Sequence, residues 1–371
     1  MKIPNGHEII QLFEKFSPKE LAMEGDKIGL QIGRLNRKVE RVMIALDVLE
    51  NVIDEAIEKD VQLIIAHHPP IFRPLKNILT DTVQGRMMAK LIKSDIAVYA
   101  AHTNLDIATG GVNDWLAEAL GLEETEVLVP TFAEKYKKLV VFVPRSHAEQ
   151  IRQVLGEAGA GFIGNYSHCS FSAEGTGRFM PGAETHPFIG QSGKLEAVDE
   201  VRVETIVPEP LLKKTLSMMI KAHPYEEVAY DVYPLDNKGE TLGLGRIGNI
   251  PEMTLKEFAE KVKTDLEVEA VRVVGDLTAK VNKVAVLGGD GNKYFSHAKF
   301  KGADVYVTGD FYYHTAHDAM MQGLNIVDPG HNVEKVMKQG LTKTLQKMCH
   351  GAGYEVEIFP SEVNTDPFQF V

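Results

Sequence analysis

Continuous apolar runs alternate with amphipathic stretches through residues 1–124 and again through 250–371. In the first section, 41–47 (RVMIALD), 61–66 (VQLIIA) and 96–101 read as strands. Residues 49–59, 82–93 and 111–120 read as the helices between them. Unbroken β-branched runs separated by helices predict parallel strands covered on both faces. The last section repeats the rhythm, with helices over 255–264, 293–301, 314–322 and 332–347 and strands over 270–274, 281–287, 304–308 and 324–327. VQLIIA-HHPP is echoed by DVYVT-GDFYYH, and IAVYAAHTNLD by LNIVDPGHNVE, which predicts a duplicated α/β unit. The middle differs. A strand at 136–143, a helix at 146–158, a Gly- and Ser-rich hairpin region, a strand at 199–207, a helix at 209–222 and a strand at 228–234 give the order β-α-β-β-α-β, which suits a ferredoxin-like module. The expected fold class is therefore α/β. Two similar lobes with parallel-rich sheets form one domain (1–125 and 243–371), interrupted by an inserted ferredoxin-like α+β domain (126–242), since insertions sit in exposed loops without disturbing a core.

Composition narrows the function classes. The chain has 371 residues, 44% apolar and 25% charged, enough for two or three folded domains. Its net charge of −12 disfavours nucleic-acid binding, which needs basic stripes that displace counterions. It leaves room for a small anionic ligand held by local groups. The apolar runs fall far short of the roughly 18 residues of a membrane span, and the first residues read as an amphipathic helix, not a signal peptide. Two cysteines, Cys169 and Cys349, make no disulfide framework, so a cytoplasmic location is expected.

The chemistry sits at strand ends. One predicted strand runs into His67-His68, one into His102 and Asp106, and one into Asp328-Pro329-Gly330-His331 and on to Glu334. In parallel sheets such loops gather on one rim. His331 and Glu334, three apart at a helix start, share a face. Taken singly, a His pair also suits a capped loop, and H-x-x-E an acidic first helical turn. Three loops ending alike favour a metal site. Its mixed N/O donors suit zinc, iron or manganese, and five ligands serve two ions with a shared carboxylate better than one.

Several of these segments resemble the GTP cyclohydrolase 1 type 2 homolog family, the Nif-three-like dinuclear metal proteins: GLQIG (29–33), IALDV (44–48), IIAHHPPIF (64–72), HTNLD (102–106), GLGRIG (243–248), VTGD (307–310) and DPGHNVEK (328–335). The resemblance implies that His67, His68, Asp106, His331 and Glu334 ligate two divalent ions. It also implies a toroidal homohexamer with its metal sites facing an inner cavity. The insert resembles PII-like and CutA-like modules. The activity implied is metal-activated water opening the imidazole ring of GTP. A non-catalytic metal-binding or regulatory scaffold and, more weakly, a two-metal phosphoesterase are the alternatives. Relatives often carry Trp-Asp-Asn where this chain has Gly25-Asp26-Lys27, and some space the last two ligands as H-x-x-x-E.

His102 and His314 are the candidates for proton transfer, with His317 beside them, or they hydrogen-bond to ligand carboxylates. Asp310 either orients one of these histidines or caps the following helix. Asp47, at the end of the strand 41–47, points towards the same rim or, as the preferred reading, forms a turn. The loop at 288–291 (GGDG) is read as a tight turn in preference to a phosphate cradle. Arg246 in GLGRIG is a candidate anion contact, or the segment is the flexible return from the insert. The run 223–227 (HPYEE) reads as a helix-to-strand turn.

Overall fold

The computed structural model describes residues 2–237 and 239–371. Its strands, in chain order, are β1 (Gly29–Ile32), β2 (Arg41–Ala45), β3 (Leu63–Ala66), β4 (Ala97–Ala100), β5 (Glu123–Ala133), β6 (Tyr136–Pro144), β7 (Phe171–Phe179), β8 (Glu196–Pro208), β9 (Tyr230–Leu235), β10 (Thr241–Thr254), β11 (Arg272–Val274), β12 (Lys280–Asp290), β13 (Val305–Gly309), β14 (Asn325–Asp328) and β15 (Glu357–Pro360). They form three sheets, ordered β1-β4-β3-β2-β15, β11-β14-β13-β12-β10-β5 and β7-β8-β6-β9.

The first two sheets belong to one compact unit, residues 2–132 and 242–371, and share a plan. In the first, β2, β3 and β4 run parallel and β1 pairs antiparallel with β4. In the second, β12, β13 and β14 run parallel and β11 pairs antiparallel with β14. The echo of HHPP in GDFYYH is thus an echo of position: one follows β3, the other β13. HTNLD and GHNVE likewise follow β4 and β14.

Alternation within the strands explains the unbroken apolar runs. Val42, Ile44, Leu63 and Ile65 face a core that also takes Val284, Val286, Val305 and Val307 from the second sheet and Phe13, Phe258, Met337 and Leu341 from helices. Met43, Ala45, Ile64 and Ala66 face the opposite side with Val52, Ile53, Met88 and Leu91. Both faces are covered, so every position must be apolar, and each large side chain contributes about 1.5–3 kcal/mol. The rigid core fixes where the strand ends, and hence the loops after them, can lie.

After β15 the chain crosses back over the first sheet. The buried Glu55, on helix Glu50–Glu58, accepts from Ser361 Oγ (2.5 Å) and Glu362 N–H (2.9 Å) and pairs with Lys59 (2.9 Å). Burial alone would raise the Glu55 pKa, but these donors outweigh it and hold it below the usual carboxylate range. A depressed folded pKa stabilises above the unfolded value and is lost as pH falls through the folded one. Glu55→Gln is therefore expected to cost about 2 kcal/mol at pH 7, and the gap to the wild type should shrink below about pH 4 in urea melts.

Residues 133–241 form the second unit. Strands β6, β7, β8 and β9 alternate with helices Ala148–Glu157 and Leu212–Ala222 in the order β-α-β-β-α-β, and the sheet is antiparallel throughout. The sheet order is that of a ferredoxin-like fold, with Leu139, Val141, Ile151, Leu155, Val203 and Met219 in its core.

Two expectations change. Residues 126–132, assigned above to the insert, continue β5 at the edge of the second sheet, where Leu128 and Val129 are buried. GLGRIG is no flexible return: it lies within β10, paired with β12. Arg246 is 4% exposed and already committed, to both Asp114 oxygens and to the Gly243 and Gly245 carbonyls. Four of its five N–H donors are spent on these partners and the side chain is buried, so it is not presented to an anionic ligand. Among the described residues, no helix is long and apolar enough to cross a membrane.

Candidate metal centre

The loops after β3, β4 and β14 converge as their spacing predicts. His67 is fully buried directly after β3, with His68 half-buried beside it. His102 immediately precedes the short helix Thr103–Ile107 after β4, and the buried Asp106 lies on it. His331 and Glu334 lie on a single 3-10 turn, His331–Lys335, ahead of helix Val336–Gly351. The expected α-helical start is thus a tighter turn. Residues three apart eclipse in a 3-10 helix, so the pair shares a face more closely than an α-helix would allow. Ring centroids of His67 and His68 are 5.0 Å apart, of His67 and His102 5.2 Å, and of His68 and His331 5.2 Å.

All four imidazoles spend Nδ1 outside the cluster. His67 Nδ1–H donates to the Ala101 carbonyl (2.8 Å), His68 to Asp47 (2.7 Å), His102 to Asp26 (2.8 Å) and His331 to Asp310 (2.8 Å). Ionised carboxylates and carbonyls only accept, so each Nδ1 carries a proton and Nε2 is the nitrogen that faces inward. A carboxylate behind a histidine is the usual outer partner of a metal ligand.

Glu334 occupies the middle. Its Oε2 lies 3.0 Å from His68 Nε2 and 3.2 Å from His331 Nε2, and its Oε1 lies 3.7 Å from His67 Nε2. Ligand atoms of His68, His331 and Glu334 fall within 4.8 Å of one another, as do those of His67, Asp106 and Glu334, and those of His67, His68 and His102. His67 Nε2 and Asp106 Oδ1, 3.5 Å apart, are both buried without a hydrogen-bond partner. Two buried polar atoms this close in a dry site need a positive charge between them, a proton or a cation. The donor set therefore fits a divalent cation, and its nitrogen and oxygen mixture fits zinc, iron or manganese.

Protonation follows the same logic. Burial lowers the His68 pKa, but hydrogen bonds to Asp47 and Glu334 outweigh it and push it up to about 10. The Glu334 hydrogen bond lifts His331 to about 9 against burial. His67 is also raised, against burial, by the charges of Asp106 and Glu334. Burial raises Asp106, whereas the surrounding imidazoles hold Glu334 well below the carboxylate range despite its burial. Without a metal, the imidazoles therefore keep protons at neutral pH that a cation must displace. Zinc uptake is expected to release protons and to weaken about tenfold or more per pH unit as pH falls from 8 to 6. Titration calorimetry in buffers of differing ionisation enthalpy measures that release.

Three carboxylates emerge that sequence reading undervalued. Asp47 is a hydrogen-bond partner of His68, not merely a turn residue. Asp26, from the segment that departs from Trp-Asp-Asn, holds both His102 and the Thr103 backbone N–H (3.0 Å). Asp310 orients His331, and its backbone adopts φ of 53°, a left-handed conformation uncommon for a side-chain-bearing residue and typical of functional sites. For Asp47 and Asp310 the available signal was their placement after β2 and β13; Asp26 instead precedes β1, which runs antiparallel and so starts on that rim.

Two other candidates move. His314 is not brought to the cluster: it is exposed on helix Tyr313–Met321, its ring edge-on to Tyr313 at 5.3 Å. The GGDG segment is more than a turn. A Cβ on Gly289, whose φ is 65°, would lie 2.6 Å from Glu334 Oε1, so the glycine makes room for the central carboxylate. In the insert, His223 is used structurally, with Nε2 against the Phe142 carbonyl (3.1 Å) and Nδ1 accepting the Tyr225 N–H (3.1 Å).

A profile of the Duf34/NIF3 family (NGG1p interacting factor 3) matches residues 4–367. The chain belongs to that family. It is 62% identical over 371 residues to the GTP cyclohydrolase 1 type 2 homolog of Bacillus subtilis, and 51% identical over 373 residues to that of Listeria monocytogenes, each comparison covering 100% of both chains. A crystal structure of a Bacillus cereus protein related to NIF3 superposes with a TM-score of 0.95 at 66% identity, covering 100% of both chains. A Staphylococcus aureus protein superposes at 0.83 with 32% identity, again over 100% of both. This NIF3-family chain thus shares its whole length, insert included, with those relatives. Its buried His/Glu/Asp groups are consistent with a metal site.

Proposed function

We propose that this NIF3-family protein holds two divalent ions and is a metal-dependent hydrolase resembling GTP cyclohydrolase. The observation that carries the dinuclear reading is the sharing of Glu334 between two triads, one with His68 and His331 and one with His67 and Asp106. Glu334 would be shared by the two ions, with His68 and His331 completing one group of ligands and His67 and Asp106 the other. Such ions supply Lewis acidity toward a substrate oxygen and lower the pKa of water. The chain's own groups do the rest. Asp47, Asp26, Asp310 and the Ala101 carbonyl hold the imidazoles in one tautomer. His102 is the proton carrier: Asp26 fixes its Nδ1–H, so its Nε2 takes a proton from water and returns it to the departing group. The name shared by the relatives suggests the purine ring of GTP as the substrate, with formate as the product of imidazole-ring opening.

The test follows formate and phosphate release together from GTP with zinc- or manganese-loaded protein, alongside His68→Ala and Glu334→Ala. Formate release that both substitutions abolish supports the cyclohydrolase reading. Phosphate release that both abolish replaces it with a phosphoesterase. Two bound ions without turnover of either kind contradict the hydrolase assignment and leave a metal-binding scaffold.

A further inference from the structure

The last residues of the chain reach back to the site. Beyond β15, Ser361 N–H donates to the Ile44 carbonyl (2.8 Å), and Lys338 Nζ donates to the carbonyls of Ser361 (3.0 Å) and Val363 (3.3 Å). With the Glu55 contacts, these bonds seat 361–363 on the first sheet. Asn364 and Thr365 then border a cleft of about 900 Å³ beside Trp115, Lys338 and Lys343. Thr365 Oγ1 donates to Asp47 Oδ2 at 2.5 Å. The other oxygen of the same carboxylate, Oδ1, accepts from His68 Nδ1 at 2.7 Å.

We propose that Thr365 is a positioning residue for His68: by holding one oxygen of Asp47, it fixes the rotation that presents the other to the imidazole and so aims His68 Nε2 at the centre. The consequence for metal binding rests on the dinuclear reading above; the orientation of His68 does not. A carboxylate turns about its terminal torsion with little resistance, since that torsion is broad. Two donors on opposite oxygens remove this freedom, and the short O–H···O⁻ bond is of the strong, charge-assisted kind. The extreme C-terminal segment thereby becomes part of the apparatus that presents a ligand from the loop after β3, 297 residues earlier in the chain by the numbering of Thr365 and His68. A tail merely anchored for stability would need no contact beyond Glu55 and Lys338.

The experiment compares wild type, Thr365→Val and Thr365→Ser. Valine keeps the shape and removes the donor; serine restores the donor. In metal-free protein labelled with ¹⁵N-histidine, the His68 Nδ1–H proton, assigned by its loss in His68→Gln, is expected downfield and protected from exchange. It should persist in Thr365→Ser and broaden away in Thr365→Val, while the thermal midpoint of the metal-free protein stays within a few degrees. Zinc titrated against a chromophoric chelator should bind about tenfold more weakly to Thr365→Val, within the range that loss of an outer partner costs, and normally to Thr365→Ser. An unchanged His68 proton in Thr365→Val overturns the proposal, whatever the zinc affinity. If that proton is lost only in Thr365→Val, yet none of the three proteins binds zinc, the positioning role stands and the metal-centre reading falls.

Discussion

Glu334→Gln is expected to weaken the binding of both ions at least a hundredfold. The side chain is nearly isosteric, so the loss reports charge and donor chemistry, not shape. Glu334 is buried and joins the triad with His68 and His331 to the triad with His67 and Asp106, with one oxygen toward His67 and the other toward His68 and His331. An amide turns an NH2 toward one of those sides, placing donor protons where a cation should sit, and removes the negative charge that offsets its desolvation. A hundredfold loss corresponds to about 2.7 kcal/mol. The substitution also takes away the counter-charge that lifts His68 and His331, so their proton affinities should fall toward the ordinary imidazole value. Competition with a chromophoric chelator measures the first effect and histidine NMR titration of the metal-free protein the second. Retention of one tightly bound ion in Glu334→Gln would contradict a shared carboxylate.

Gly289→Ala should damage the centre nearly as severely, although glycine ligates nothing. The new Cβ would lie 2.6 Å from Glu334 Oε1, closer than real Cβ atoms approach, and a tight 3.2 Å from His331 Nε2. Turning the Glu334 carboxylate aside would cost it the contacts with His68 (3.0 Å) and His331 (3.2 Å) that place it. A left-handed φ of 65° adds about 1–2 kcal/mol of strain. Gly302→Ala separates the two effects: its φ is 79°, but nothing lies within 4 Å of its Cβ position. We expect Gly302→Ala to cost about 1 kcal/mol in a denaturant melt and to bind zinc normally. Gly289→Ala should lose more stability and bind zinc at least tenfold more weakly. Equal zinc affinity in the two variants would show that the close approach at Gly289 does not govern the site.

Much of this was legible because the physics is local. Strands buried on both faces must be apolar throughout, so β2, β3, β4, β13 and β14 stand out as runs, and their ends mark the rim where His67, His102 and His331 gather. The order of elements in the insert likewise announces its sheet. The segments that escaped are those whose partners are remote in sequence. β1 is only Gly29–Ile32 and β15 only Glu357–Pro360, and each joins the sheet as an edge strand beside a long-range neighbour. The glycines of GLGRIG read as flexible, yet pairing with β12 makes them strand, and Asp114 turns Arg246 inward. Asp47 looks like a turn residue and Asp26 like a mere departure from a family motif until an imidazole is seen against each, and Asp310 orients His331, not the histidines beside it in sequence. His314 shows the converse error: a histidine near the right segment in sequence, but on a helix face turned to solvent. Spacing predicts which loops meet, and only tertiary contacts determine which carboxylate stands behind which histidine.

The central claim is that His67, His68, His331, Asp106 and Glu334 together hold two ions. Anomalous diffraction from crystals of the zinc-loaded protein, recorded on both sides of the zinc edge, tests it most directly. Two separate peaks within this ring of side chains, with Glu334 beside both, are the predicted result. A single peak, or peaks elsewhere in the molecule, would contradict it.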